Sequence, residues 1–257
     1  MLLVCCGGAD DYDSPEQQAE DLAFRLADAE IGPDEGMDIG ELDQAITFES
    51  GGYGVMKNTT GTKCGTPFGG WPNKCQVPKE KTVNFRWTFG ALTEGGVDWV
   101  AAFNTAGSYV CAVLNARGWS CTKALASGTQ RERVQPWDLD QTALGMCQYT
   151  NLSNGPLYTL PSGQVMGNYE YQDGCQIYVD TTYLAALTVG MSATSKRREA
   201  ENLIIHEMGH CIGLPHQEPP FVLENVMAPK QLNGYPEIIA NHEKDWLLRY
   251  VPGVLHP

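Results

Sequence analysis

Basic residues are scarce in this chain, histidine is scarcer, and long apolar runs are missing. Lysine and arginine number 17 against 31 aspartates and glutamates, a net charge of −14 at neutral pH. That balance argues against nucleic acid, whose binding rests on lysine and arginine neutralising phosphates. Acidity otherwise reports mainly on solubility. No window reaches the roughly 18 apolar residues that a membrane helix needs, so no transmembrane helix is expected. Close C-x-x-C spacing is absent too, although the chain holds 9 cysteines. Cys64, Cys75, Cys111, Cys121, Cys147 and Cys175 lie mid-chain in pieces that read as loops, strands or helix ends. They suit disulfides in an oxidising compartment better than a zinc ribbon. The simplest pairing is sequential, 64–75, 111–121 and 147–175, among the many connectivities six cysteines permit.

At 257 residues and 42% hydrophobic, the chain can bury one good core, or a core domain with a smaller appendage. Residues 1–48 read as an acidic, poorly packed leader. Its start, "MLLVCCGGADDYD", resembles the end of a bacterial lipoprotein signal, although the basic n-region is absent and the apolar run is short. Cys5 or Cys6 is therefore a candidate lipid-anchor site, and a secreted, periplasmic or cell-surface protein is expected. Ser14, Pro15 and Gln17 form a capping box for one short helix with a thin stripe of Ala19, Leu22, Ala23 and Leu26. Residues 49–81, rich in glycine, threonine and proline, read as a connecting loop.

The ordered domain spans 82–257. "TVNFRWTF" (82–89) alternates as a half-buried strand, and a helix follows within 95–118. Strands are expected at "RERVQPWDL", "GMCQYTNL" and "CQIYVDTTY" (175–183). A second helix opens near Thr194 or Ser195, and "PEIIANHEKDWLLRYV" (236–251) closes the chain as a third. The fold class is α+β.

Three of the 5 histidines fall in "HEMGHCIGLPH", residues 206–216. On a helix, residues i and i+4 share a face about 6 Å apart along the axis, so His206 and His210 can aim at one ion. Glu207 points beside that pair, Gly213 can end the helix in a left-handed turn, and His216 then returns as a third ligand. Three neutral nitrogens and an open position make a zinc site of catalytic type. A bare H-E-x-x-H arises by chance in roughly one chain in a hundred, and the added glycine and histidine make it roughly a thousandfold rarer. Cys211, about 100° round the helix from His210, faces the core with Ile204, Met208 and Ile212, and reads as a buried thiol.

This stretch is similar to the H-E-x-x-H-x-x-G-x-x-H pattern of the metzincin zinc peptidases. "ENVMAP" resembles the M-x-P turn of their matrixin group. The resemblance implies an α+β domain with a twisted mixed sheet, an active-site helix and a C-terminal helix, preceded here by the acidic leader. It implies His206, His210 and His216 as ligands of one catalytic Zn2+, Glu207 as general base and Met227 as the turn methionine, in an endopeptidase acting on a protein or peptide. Matrixins often carry structural Ca2+, for which Asp173 and Asp180 are candidates, with turn aspartates the commoner explanation. "CQIYVDTTY" would be the edge strand that aligns substrate, or else an ordinary core strand. "KCGTP" resembles the C-G-x-P of latent matrixins and makes Cys64 a candidate latency ligand, with a 64–75 disulfide the alternative. Gln217 stands where matrixins usually have serine, and Pro229 where other metzincin groups have tyrosine, so the subfamily stays open. Two other functions compete: a non-catalytic zinc-containing binding module, and a zinc hydrolase acting on a cell-wall amide. Glu207 favours an enzyme, because a binding protein has no use for a carboxylate beside the metal.

Overall fold

The computed structural model describes residues 15–30, 67–68, 71–72, 75–126, 131–141, 143–150, 153–154, 158–159, 165–166, 169–214, 225–227 and 232–249. Alternation in "TVNFRW" does what it predicts. Val83, Phe85 and Trp87 are buried while Thr82, Asn84 and Arg86 face the other way in strand β1 (Thr82–Trp87). Four further strands complete a sheet: β2 (Ser120–Leu125), β3 (Glu132–Pro136), β4 (Gly145–Thr150) and β5 (Gly174–Val179). Their order is β2-β1-β3-β5-β4. All neighbours run parallel except β4, which lies antiparallel to β5 at the sheet's end. The architecture is therefore α+β with a mixed sheet.

One sheet face is apolar and carries the helices; Val134, Ile177 and Val179 on it are fully buried. The other face is a polar ladder. Thr122 Oγ1 donates to Asn84 Oδ1 at 2.6 Å, and Tyr178 Oη donates to Gln176 Oε1 at 2.6 Å. Helix α2 (Trp99–Asn115) starts where Asp98 accepts from the Val100 and Ala101 amides, and buries Trp99, Phe103, Ala106, Val110 and Leu114. The expected helix over 95–118 is shorter because residues 93–98 form a tight hairpin instead.

"CQIYVDTTY" also splits. The strand ends at Val179, and Asp180 accepts from the Tyr183 amide to open a short helix, α3 (Thr181–Leu187). Helix α4 (Ala193–Cys211), capped by Ser192, packs between α2 and the strands β4 and β5. Its second half is buried on every side. The last helix, α5 (Asn241–Arg249), starts later than expected. Its preceding segment pairs with residue 225 through an Asn225–Ile238 bridge, so the backbone there is extended.

The helix in the acidic leader, α1 (Pro15–Glu30), is not poorly packed; it docks on α2 and α4. Its docked face is not the stripe of Ala19, Leu22, Ala23 and Leu26: Ala19 and Ala23 are exposed, while Asp21 and Arg25 are buried. Arg25 donates to Asn202 Oδ1 at 2.7 Å and pairs with Glu201 at 3.2 Å. Asp21 receives Arg197 and Arg198, each at 2.8 Å. Charges complementary to α4, which only the tertiary context supplies, decide which face turns inward. The connecting loop also contains order, since Cys75–Pro78 pairs in parallel with Tyr169–Gln172.

Two disulfides are present among the described residues. Cys111–Cys121 joins α2 to β2, as sequential pairing predicts. The second is a correction: Cys175 bonds Cys211, not Cys147, and Cys147 keeps its thiol. Cys211 does face the core with Ile204, Met208 and Ile212, all buried. That core face is what brings it opposite Cys175 on β5, so it is not a thiol. Cys5, Cys6 and Cys64 lie outside the described residues, as does the expected 64–75 pairing.

Candidate metal centre

Helix α4 brings His206, Glu207 and His210 into the interior, each at most 6% exposed. The helix ends as the glycine requires. Gly213 has a φ of 94°, its amide bonds the His210 carbonyl at 2.9 Å, and the Leu214 amide bonds the Gly209 carbonyl at 2.9 Å. These two bonds form a Schellman motif, which turns the chain off the helix just past the second histidine.

The two rings are held by backbone. His206 Nδ1 lies 2.6 Å from the Val226 carbonyl, and His210 Nδ1 lies 2.8 Å from the Leu214 carbonyl. A carbonyl only accepts, so each Nδ1 is the protonated nitrogen and, in a neutral ring, each Nε2 presents a lone pair. The Nε2 atoms converge to 3.1 Å. Two lone pairs at that distance repel unless a cation lies between them. Nitrogens about 2.0–2.1 Å from a tetrahedral zinc stand about 3.3 Å apart, so the pair fits such an ion. The Nδ1-to-carbonyl bonds are the outer contacts that fix ring orientation in metal sites.

Met227 is buried, and its thioether packs against Gly209, between the two histidines in the helix. Its amide donates to Asn225 Oδ1 at 2.9 Å, and the Val226 amide donates to the Ile238 carbonyl at 2.9 Å. The turn that carries Met227 therefore also supplies the carbonyl that orients His206. His216 lies outside the described residues.

Glu207 is packed against the edge of the sheet. A side chain on Gly145 would place its Cβ 2.6 Å from Glu207 Oε1 and 2.8 Å from its Cγ, so any larger residue there must displace the Glu207 side chain. Burial pushes the Glu207 carboxyl up to about 8. Burial also raises the Cys147 thiol and the Tyr149 hydroxyl, with the neighbouring Glu207 charge adding to both. Tyr149 donates to the His210 carbonyl at 3.3 Å, and Gln172 donates to the Cys211 carbonyl.

Sequence reasoning missed Gly145, Tyr149 and Gln172. Alternation in "GMCQYT" places Gly145, Cys147 and Tyr149 on one face, but nothing in it says that this face meets the helix. Of the two readings of "CQIYVDTTY", edge strand or core strand, the core one holds for its first part. "CQIYV" is an interior strand, bonded to β3 and β4 on its two sides, and β4 is the strand at the end beside α4. The burial of "CQIYV" alternates, with Cys175, Ile177 and Val179 buried and Gln176 and Tyr178 half-buried on the polar face.

Both calcium candidates make contacts within the protein. Asp180 caps α3 and accepts from the Leu139 amide at 2.9 Å, while Asp173 lies 3.7 Å from Arg131. Among the described residues, one further group could hold a metal ion, the sulfurs of Cys147, Cys175 and Cys211. No helix among the described residues is long and apolar enough to cross a membrane. Compared with protein-family models and with curated proteins, the chain matches none.

Proposed function

We propose that the chain is a zinc-dependent endopeptidase of the metzincin type, closest to the matrixin-like group. His206, His210 and His216 hold the ion, and Glu207 is the general base. The observation that carries this reading is the convergence of two Nε2 lone pairs to 3.1 Å, with each Nδ1 committed to a carbonyl and a buried carboxylate one residue away. When bound, zinc supplies Lewis acidity and an acidified water at the scissile carbonyl.

The chain's own groups do the rest. Glu207 accepts the proton of the attacking water and delivers it to the departing amine. Gly145 keeps the space that the carboxylate occupies. Met227 and the Val226 carbonyl hold His206 in register. Strand β4, at the end of the sheet, is where an extended substrate would add. The two disulfides suit a secreted or surface protein.

The test uses the full chain, because α1 contributes buried charges to α4. An unfolded protein and a peptidoglycan preparation are offered as substrates, and zinc content is measured alongside. The whole chain should cut the protein, and a chelator should stop it. Glu207→Ala should keep its zinc and lose about 10²–10⁴-fold in rate. Zinc-loaded wild type that cuts neither substrate supports the binding module instead. Cleavage of wall amides alone moves the substrate class. Gly145→Ala should retain zinc and fold while losing about 10–100-fold in rate, since it displaces the Glu207 carboxylate by about an ångström. A variant as active as wild type would mean that the carboxylate need not sit against β4.

A further inference from the structure

The three sulfurs of Cys147, Cys175 and Cys211 lie within 4.8 Å of one another, on three different elements. Cys211 is the last residue of α4 and directly follows His210. Cys175 is on β5 and Cys147 on β4, where Cys175 pairs with Tyr149 and Ile177 with Cys147. The two strand cysteines are thus diagonal neighbours on the face that meets the helix. Cys211 is bonded to Cys175, and the Cys147 sulfur stands 3.6 Å from that of Cys211.

We propose that these residues form an exchangeable disulfide triad, in which Cys211 changes partner between the interior strand β5 and the edge strand β4. In the exchange, Cys147 gives up its proton and its thiolate attacks Cys211 Sγ. The Cys147–Cys211 bond forms as the Cys175–Cys211 bond breaks, and Cys175 leaves as a thiolate that takes up a proton. One disulfide and one thiol stand on each side, so no oxidant is consumed. Attack runs along the axis of the bond being broken, and the three sulfurs form a triangle rather than a line. A rotation of the Cys147 side chain must come first. Burial keeps that thiol protonated at neutral pH, which slows the exchange further.

The two linkages are not equivalent. With Cys175, the end of the helix is tied to the middle of the sheet. With Cys147, it is tied to the strand whose Gly145 abuts Glu207 and whose Tyr149 donates to the His210 carbonyl. The exchange therefore resets how β4 sits against Glu207. Its effect on activity rests on the proposed peptidase function; the exchange itself does not.

The full chain, as isolated, is held at about neutral pH and at about pH 9, where more thiolate forms, for the minutes to hours of uncatalysed rearrangement. It is then quenched in acid, alkylated and mapped without reduction, with its metal content measured. Starting from the Cys175–Cys211 link, a Cys147–Cys211 link should appear faster at the higher pH, and alkylation should move from Cys147 to Cys175. Cys147→Ser should freeze the original link. Cys175→Ser, expressed in an oxidising compartment, should fold and contain the Cys147–Cys211 link. A folded wild type in which Cys175 never becomes alkylated would overturn the proposal. So would a Cys175→Ser protein with thiols at both 147 and 211, or three thiols holding a soft metal ion. If the links exchange but neither form cuts protein, the triad stands and the peptidase reading falls.

Discussion

Arg25→Ala is expected to destabilise the fold by about 3–5 kcal/mol, the usual cost of stranding one partner of a buried ion pair. Arg25 and Glu201 are both fully buried, with Arg25 shared between Glu201 and Asn202. Burial lowers the pKa of Arg25 and raises that of Glu201, each against its charged form and each in spite of the partner. The pair is therefore not a source of net stability relative to water. Its loss is costly because Glu201 would stay buried with only Arg197 for company. The effect should reach the candidate metal centre. Asn202 Oδ1, which accepts from Arg25, also accepts from the Glu237 amide, and the neighbouring Ile238 carbonyl holds Val226, whose own carbonyl orients His206. Urea unfolding of Arg25→Ala beside Glu20→Ala, an exposed change on the same helix, separates docking from helix propensity. The Glu20 control should move by less than about 0.5 kcal/mol. A loss under about 1 kcal/mol for Arg25→Ala would mean that α1 is not braced on α4 by this pair. A chain lacking the first 44 residues should fare worse than Arg25→Ala.

What could be read in advance follows from how local each cause is. Val83, Phe85 and Trp87 declare a strand because period-2 alternation depends only on neighbours. His206, His210 and Gly213 mark a candidate site because helix geometry fixes where i+4 points and because a left-handed residue ends the helix. The α+β class follows from the same short-range patterns. Pairings between distant segments were not legible. Asp21 and Arg25 look like solvated charges on a surface helix until Arg197, Glu201 and Asn202 face them. Cys211 reads as a core thiol, and does face the core; only the sheet order puts Cys175 across from it. Nothing local in "CQIYV" or "GMCQYT" says which lies at the edge, and strand order alone gives the edge to the second. Asp180 carries a local signal, since an aspartate before "TTYLAAL" is a good helix cap and marks the strand's end.

Stripped of metal, the chain should become more stable at about pH 8–9 when Glu207 is replaced by glutamine, by about 2–5 kcal/mol, and unchanged near about pH 4. The carboxyl's pKa rises from an ordinary 4.5 to about 8 on folding, and burial is the cause. Below about pH 4.5 both states are protonated and the group costs nothing. Between 4.5 and about 8 the unfolded chain ionises while the folded chain holds its proton, so wild-type stability falls as pH rises. Above about 8 the penalty is complete. Glutamine keeps the shape, has no proton to lose and escapes the whole slope. The difference between the two denaturation curves across pH reports what this residue contributes, directly and through the Cys147 and Tyr149 groups on which its charge acts. Adding zinc should shrink the difference, since a divalent charge at His206 and His210 draws the neighbouring carboxyl's pKa back down. Parallel curves for the metal-free pair would show that water reaches Glu207 in the folded chain. A slope that vanishes only with metal would mean that the carboxylate was put in an apolar place for the sake of the ion.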